Sequence, residues 1–124
     1  MKYEEYYITD KNNKSNCVIR TFVKMFNQEY DDVANELASI ATELNCSFND
    51  IETFEEYMNR RNFHKMDFSE DIQIKDLKLT NDKYIIFCYN KEEFYHMIPI
   101  INSTIYDRTN ECLDLYVISI YTNE

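Results

Sequence analysis

The sequence predicts an α+β fold, in which helices of the N-terminal half pack on an antiparallel sheet of the C-terminal half. Before position 60, apolar residues recur at the three- and four-residue spacing of amphipathic helices. After position 83, β-branched and aromatic residues form the short runs that are typical of strands. Helices followed by strands favour the α+β class, and a length of 124 residues favours one domain spanning residues 1–124.

The first predicted helix begins at Cys17. A polar run at residues 10–16 ends where apolar residues at helical spacing start, and Ser15 or Asn16 can cap the first turn. The cysteine is therefore placed in the first turn. The apolar face of this helix consists of Val18, Ile19, Phe22, Val23 and Phe26.

Two further helices follow along the chain. Asp31 and Asp32 suit the first turn of a second helix, because carboxylates are favoured at the positive end of the helix dipole, and an apolar face continues to Leu44. A third helix is predicted from residue 49 or 50 to residue 61, with Phe63 packing back on the core.

Strands are predicted in the C-terminal part of the chain. Residues 65–82 have a mixed, charged pattern that predicts a connection with one short element. Asn102 and Ser103 form a two-residue link, and Asn tolerates the left-handed conformation that a tight hairpin requires. The strands are predicted at residues 84–89, 95–101, 104–106 and 115–121.

The charge argues against several classes of function. A net charge of −10 disfavours direct nucleic-acid binding, because phosphate neutralisation needs clustered Lys and Arg. No apolar run approaches the roughly 20 residues of a membrane helix, and the N-terminus lacks the pattern of a signal peptide. We therefore expect a soluble cytoplasmic protein that binds neither nucleic acid nor membrane. Its expected partner is a protein or peptide, and its oligomeric state stays open.

The four cysteines are widely separated and form no Cys-x-x-Cys pair, so we expect free thiols, no metal and no cofactor. Cys17 differs from the others, because free N–H groups at a helix N-terminus lower the pKa of a thiol. Cys46, Cys88 and Cys112 lie at a helix end, in an apolar strand and after a polar loop, where small buried or incidental thiols are expected.

A thiol nucleophile needs a base, and the chain has two histidines. His64 follows the charged end of the third helix, whereas His96 begins an apolar strand that can hold an imidazole against a helix terminus. His96 is therefore the better candidate. If the strand at residues 95–101 and the next one form a hairpin, Asp107 lies beside His96 and can orient its ring.

Several motifs carry a resemblance to a known family. Residues 16–21 read Asn-Cys-Val-Ile-Arg-Thr, and residues 30–33 read Tyr-Asp-Asp-Val. Downstream, residues 96–98 read His-Met-Ile and residues 105–107 read Ile-Tyr-Asp. In spacing and order these motifs resemble a family of small bacterial and bacteriophage proteins with a papain-like cysteine-peptidase fold, and the resemblance covers residues 13–121.

The resemblance implies a papain-like domain with a catalytic triad of Cys17, His96 and Asp107. It also implies that the backbone N–H of Cys17 is one oxyanion donor and that a polar side chain upstream, from Asn13 or Asn16, is the other. The function expected on this basis is hydrolysis or acyl transfer at a peptide, isopeptide or amide bond, through a thioester on Cys17.

Two other interpretations stay open. Tyr95 stands where the family has Gly before the histidine, and Lys11 stands where papain-like enzymes often have Gln. These differences and the charge of −10 suit a catalytically inactive papain-like fold that acts as an acidic protein-binding module, such as a phage-encoded inhibitor of a host factor. The third interpretation is a structural subunit without a site.

Overall fold

The structure is a computed structural model that describes residues 1–8, 16–69, 71–92 and 94–123. Within these ranges, three α-helices pack on one six-stranded sheet, so the predicted α+β class is confirmed. The chain from the first helix to the third contains no strand, as the helical spacing predicted. The helices are α1 (Cys17–Phe26), α2 (Tyr30–Leu44) and α3 (Ile51–Asn59).

The sheet has the strand order β1-β5-β4-β3-β6-β2 and is mixed. All neighbouring strands are antiparallel except the edge strand β1, which runs parallel to β5. The strands are β1 (Lys2–Glu5), β2 (His64–Met66), β3 (Lys83–Tyr89), β4 (Tyr95–Ile101), β5 (Thr104–Asp107) and β6 (Tyr116–Thr122).

The prediction of an antiparallel sheet built from the C-terminal half is therefore wrong at one edge, because β1 comes from the N-terminus and runs parallel to β5. At the other edge, β2 is antiparallel to β6 and overlaps the segment at residues 65–82 that is predicted as a connection with one short element. Both are short and have few buried residues. An edge strand needs little apolar alternation, because its backbone is held by one neighbour and its side chains are largely solvated.

Each face of the sheet carries its own hydrophobic cluster. On the helical face, Phe22 and Leu37 are fully buried and pack with Met97 of β4. On the other face, Ile98 and Ile100 pack under loops and two short 3-10 helices rather than under α-helices. Alternate residues of β4 between Met97 and Ile101 thus point into different clusters.

The tight turns are formed without glycine, which the chain lacks. Asn27 and Asn45 end α1 and α2 in the left-handed conformation, with φ of 54° and 55°. Asn102 and Ser103 also have positive φ, 51° and 63°, as a two-residue hairpin between twisted strands requires. The predicted hairpin is confirmed, and it fixes the register of β4 and β5.

Candidate active site

Asn16 and Cys17 form the start of α1. The Asn16 Oδ1 atom accepts hydrogen bonds from the amides of Val18, at 2.9 Å, and Ile19, at 3.3 Å. The Arg20 amide donates to the Asn16 carbonyl oxygen at 2.9 Å. The predicted helix start is confirmed. Because these capping bonds use the three amides that follow Cys17, the Cys17 amide lies outside the capping set, at the positive end of the helix.

The two residues predicted as oxyanion donors differ in what the structure describes. Asn16 caps the helix through Oδ1, so a role as donor would fall to its Nδ2 amide group. Asn13 lies outside the described residues, as does Lys11. The assignment of either asparagine as an oxyanion donor stays a prediction.

His96 lies on β4 where the strand passes the start of α1. The imidazole and the Cys17 thiol line the same two cavities, and the thiol is close enough to the ring and to the Met97 amide for both to lower its pKa. The Thr21 hydroxyl donates to the Met97 carbonyl oxygen at 3.0 Å. Helix α1 is thus attached to β4 within one turn of the cysteine.

Asp107 lies at the end of β5 and binds the far side of the imidazole. Its Oδ2 atom is 2.7 Å from Nε2 of His96, which leaves Nδ1 as the ring nitrogen for Cys17. If the register of β4 and β5 is extended, Asp107 falls opposite Ile98, two residues from His96 and on the same face. The hairpin thus brings carboxylate and ring together by a diagonal contact rather than by direct pairing.

The edge strand β1, which sequence analysis did not predict, holds the backbone of Asp107. The Tyr6 amide and the Tyr3 hydroxyl donate to its carbonyl oxygen at 2.9 and 3.0 Å. In the parallel register of β1 and β5, Glu5 lies beside Asp107. The edge strand therefore fixes the position of the residue that orients His96.

The electrostatics favour a charged pair of thiolate and imidazolium. Burial raises the pKa of the Cys17 thiol, but the hydrogen bond and charge of His96, the Met97 amide and the charge of Arg20 lower it below its ordinary value. Burial lowers the pKa of His96, but its hydrogen bonds to Asp107 and Cys17 raise it to about 9. Both directions favour a proton on the ring rather than on the sulfur.

The Asp107 carboxylate stays ionised although it is buried. Burial raises its pKa, but the hydrogen bond and charge of His96, the Arg108 amide and the charge of Arg20 together lower it. Oδ1 of Asp107 is 2.8 Å from the Arg108 amide and 3.2 Å from Nη2 of Arg20. An ionised Asp107 in turn stabilises a protonated His96.

The other thiols have different environments. Burial raises the pKa of Cys88 well above its usual range. Burial and the negative charge of Asp107 raise the pKa of Cys112 to about 12, and its thiol donates to the Thr109 carbonyl oxygen at 3.6 Å. The partly exposed Cys46 thiol contacts Thr53 Oγ1 at 3.0 Å. Of the described thiols, only that of Cys17 contacts a histidine ring.

Two surface cavities meet at Cys17 and His96, which line both. The first, of about 350 Å³, is the more polar of the two and includes Arg20, Asp107 and Arg108 among its lining residues. The second, of about 450 Å³, is mainly apolar. Its lining residues include Val18, Phe54, Phe87, Tyr95 and Met97.

The aromatic residues before His96 leave these cavities open. Tyr95 is 57% exposed, and its ring lies beside those of Phe87 and Tyr89, with centroids 5.8 and 6.2 Å away. Phe94 stacks on the His96 ring at a centroid distance of 5.9 Å, although it is itself 56% exposed. Tyr95 therefore forms a wall of the apolar cavity and does not fill it.

Comparison with known protein families, with curated proteins and with solved structures finds no match to this chain. No helix in the described ranges is long and apolar enough to cross a membrane. Within the same ranges, no group of three or more His, Cys, Asp and Glu side chains could hold a metal ion. His64 is exposed on β2 at the far edge of the sheet, away from Cys17.

Among the neighbours of the His96–Asp107 pair that sequence analysis missed are Arg20, Cys112 and Phe94. Arg20 gave a usable signal, since it is a cation on a helix turn whose neighbours are apolar. Cys112 gave none, because its contact with Asp107 depends on the path of a short 3-10 helix. Phe94 resembles an ordinary apolar residue near the start of a strand.

Proposed function

We propose that this protein is a cysteine-dependent hydrolase or acyl-transfer enzyme with a papain-like arrangement of its catalytic groups. The observation that carries the proposal is the grouping of three side chains: Cys17 and His96 line the same two cavities, and Nε2 of His96 is 2.7 Å from Oδ2 of Asp107. A nucleophile, a base and a group that orients the base are the three parts that thiol catalysis needs. The bond attacked is a peptide, isopeptide or amide bond.

The reaction begins with the Cys17 thiolate and the His96 imidazolium. The sulfur attacks the substrate carbonyl carbon, so that a C–S bond forms and the carbonyl oxygen takes the negative charge. His96 then gives its proton to the leaving nitrogen, the C–N bond breaks, and the amine departs from a Cys17 thioester. Asp107 stabilises the imidazolium throughout through its 2.7 Å contact with Nε2.

The second half of the reaction resolves the thioester. Neutral His96 takes a proton from water, and the oxygen attacks the thioester carbon. The C–S bond then breaks, the acid is released, and the thiolate and imidazolium are restored. If an amine attacks in place of water, the same steps give acyl transfer. The Cys17 amide is the first donor to the oxyanion in both halves, with Asn16 or Asn13 as the second.

The two cavities support an extended substrate that crosses Cys17. The apolar cavity of about 450 Å³ is large enough for an aromatic or branched side chain, with Phe54, Phe87 and Met97 among its walls. The more polar cavity, which Cys17 also lines, has Arg108 among its lining residues. A polypeptide with an apolar residue next to the attacked bond fits this arrangement.

The proposal is tested with an electrophilic peptide. The wild-type protein is incubated at pH 6 with a phenylalanine-containing peptidyl acyloxymethyl ketone, and the adduct is located by mass spectrometry. We expect one adduct, on Cys17, and none in Cys17→Ala. Cys46→Ala is the matched control, because Cys46 is also partly exposed but lacks a histidine neighbour. Equal modification of Cys46 and Cys17, or an unmodified Cys17, would contradict the proposal.

A second candidate function is an inactive fold that binds a protein. The side chains of Phe94 and Tyr95, which are 56% and 57% exposed beside the site, favour it because exposed rings of this kind are common at binding surfaces. In that case the electrophilic peptide leaves Cys17 unmodified, and Cys17→Ala retains the same partner in a pull-down as the wild type. Loss of the partner in a Phe94→Ala/Tyr95→Ala variant would place the binding surface at these rings.

A further inference from the structure

Arg20 is a buried cation beside the proposed site. Its side chain is 5% exposed, whereas those of Arg60 and Arg61 are 39% and 21% exposed. Removing a guanidinium from water is costly unless it meets a well-placed negative partner. The buried position of Arg20 therefore points to a specific contact rather than to a solvated helix face.

The contact of Arg20 is with one oxygen of the Asp107 carboxylate, and the other oxygen contacts His96. Nη2 of Arg20 is 3.2 Å from Oδ1 of Asp107, which also accepts from the Arg108 amide at 2.8 Å. The other oxygen, Oδ2, is 2.7 Å from Nε2 of His96. Because Oδ1 is held by two donors, the carboxylate cannot rotate freely, and Oδ2 stays directed at the ring.

The same contact joins two elements that carry proposed catalytic groups. Arg20 lies three residues after Cys17, so both occupy neighbouring positions on one side of α1. Arg20 and Asp107 are separated by 87 positions in the chain. The ion pair thus attaches the helix of the nucleophile to the strand of the orienting carboxylate.

We propose that Arg20 is a positioning residue for the chemistry of Cys17. It holds Asp107 ionised and directed at His96, and its charge favours the thiolate. This role rests on the proposed function. Arg20 acts on Cys17 through Asp107 and His96, so its effect can be observed only if Cys17 is reactive.

Other titratable groups face Asp107 from each neighbouring element and stay in place when Arg20 is changed. They are His96 of β4, Cys88 of β3, Tyr3 of β1 and Cys112 of the second 3-10 helix. Replacement of Arg20 by neutral Gln removes one nearby cation from the thiolate. The acid limb of Cys17 reactivity should therefore move to higher pH by about one unit, which is about tenfold in thiolate fraction.

The experiment measures alkylation of Cys17 by iodoacetamide from pH 4 to pH 9, by mass spectrometry, together with the melting temperature. The variants are Arg20→Gln and Arg20→Lys, and the matched control is Arg61→Gln, which breaks the pair of Arg61 with Glu36 at 2.7 Å. We expect the acid limb of the pH profile to move furthest towards high pH in Arg20→Gln and less far in Arg20→Lys, which keeps the positive charge. Arg61→Gln should lower the melting temperature and leave the pH profile unchanged.

A melting temperature lowered by the Arg20 variants with an unchanged pH profile would make Arg20 a structural residue and overturn the proposal. If Arg20→Gln does not fold, the shift in Arg20→Lys decides, and failure of both to fold also overturns it. If wild-type Cys17 reacts no faster than Cys46 at pH 6, the proposed function fails, and the role of Arg20 fails with it. If Cys17 of the wild-type protein is alkylated selectively but the Arg20 variants have the same pH profile as the wild type, only the role of Arg20 is overturned.

Discussion

Cys17 and Cys88 both contact His96 but have opposite chemical character. The Cys17 thiol, at the start of α1, lies beside the imidazole ring and lines two cavities with it. The Cys88 thiol is fully buried in β3 and donates to the His96 carbonyl oxygen at 3.3 Å. Burial raises the pKa of both thiols, but at Cys17 the His96 ring outweighs it and the pKa is lowered. Contact with the histidine therefore does not by itself lower the pKa of a thiol. The Cys17 thiol faces the ring, whereas the Cys88 thiol contacts the backbone carbonyl oxygen.

The largest expected effect comes from removing one thiol or the other. Under the proposed function, Cys17→Ala should lower turnover of a fluorogenic peptide amide by about 10⁶-fold, as loss of a nucleophile does in other hydrolases. Cys88→Ala should keep turnover and cost about 1 kcal/mol of unfolding free energy, since it truncates a buried side chain. Turnover and urea denaturation measure the two effects. Equal loss of turnover in both variants would end the distinction between the thiols.

The next largest effect is expected from replacing the Asp107 carboxylate, which contacts the His96 ring. Asp107→Asn should lower turnover by up to about 10⁴-fold, the size seen when a triad carboxylate becomes an amide and the wrong tautomer results. Asn is preferred to Ala, because it keeps the size of the side chain and one oxygen that can accept hydrogen bonds from Arg20 and the Arg108 amide. Asp114→Asn is the control, since Asp114 is 73% exposed and pairs only with Lys75 in the contacts described. A fully active Asp107→Asn would remove Asp107 from the mechanism.

A smaller effect is expected on thiol ionisation. The hydrogen bond and charge of His96 lower the pKa of Cys17 against the effect of burial, so His96→Gln should raise it. Iodoacetamide alkylation of Cys17 at pH 6 should then slow towards the rate of an ordinary thiol, while that of Cys88 stays slow. His64→Gln is the matched control, because His64 is exposed on β2. An unchanged alkylation profile in His96→Gln would show that the ring does not activate the sulfur.

The smallest effect is on the pH dependence of stability. The folded-state pKa of Asp107 lies below its ordinary value of 3.8, because His96, the Arg108 amide and Arg20 outweigh burial. Its contribution to unfolding free energy is therefore present above pH 3.8 and is lost as the pH falls through the folded-state pKa. The difference between wild type and Asp107→Asn in urea denaturation should shrink from pH 5 to pH 2. A difference that is constant over this range would contradict the ion pair.

Much of the molecule could be predicted from local patterns. The start of α1 at Cys17 follows from a polar cap before apolar residues at helical spacing, and the capping bonds of Asn16 match that expectation. The hairpin at Asn102 and Ser103 follows from turn chemistry, and it brings Asp107 towards His96. Each signal involves residues a few positions apart, where spacing alone fixes geometry.

The sequence by itself determined the α+β class, the helix that presents Cys17 and the hairpin that carries His96 and Asp107. Only the tertiary structure decided the parallel edge strand β1, the ion pair of Arg20 with Asp107 and the contact of Cys112 with the same carboxylate. The physical reason is that helices and turns depend on bonds between near neighbours. A buried ion pair between residues 87 positions apart depends instead on how the elements pack: the apolar neighbours of Arg20 mark it as unusual, but no local pattern identifies Asp107 as its partner.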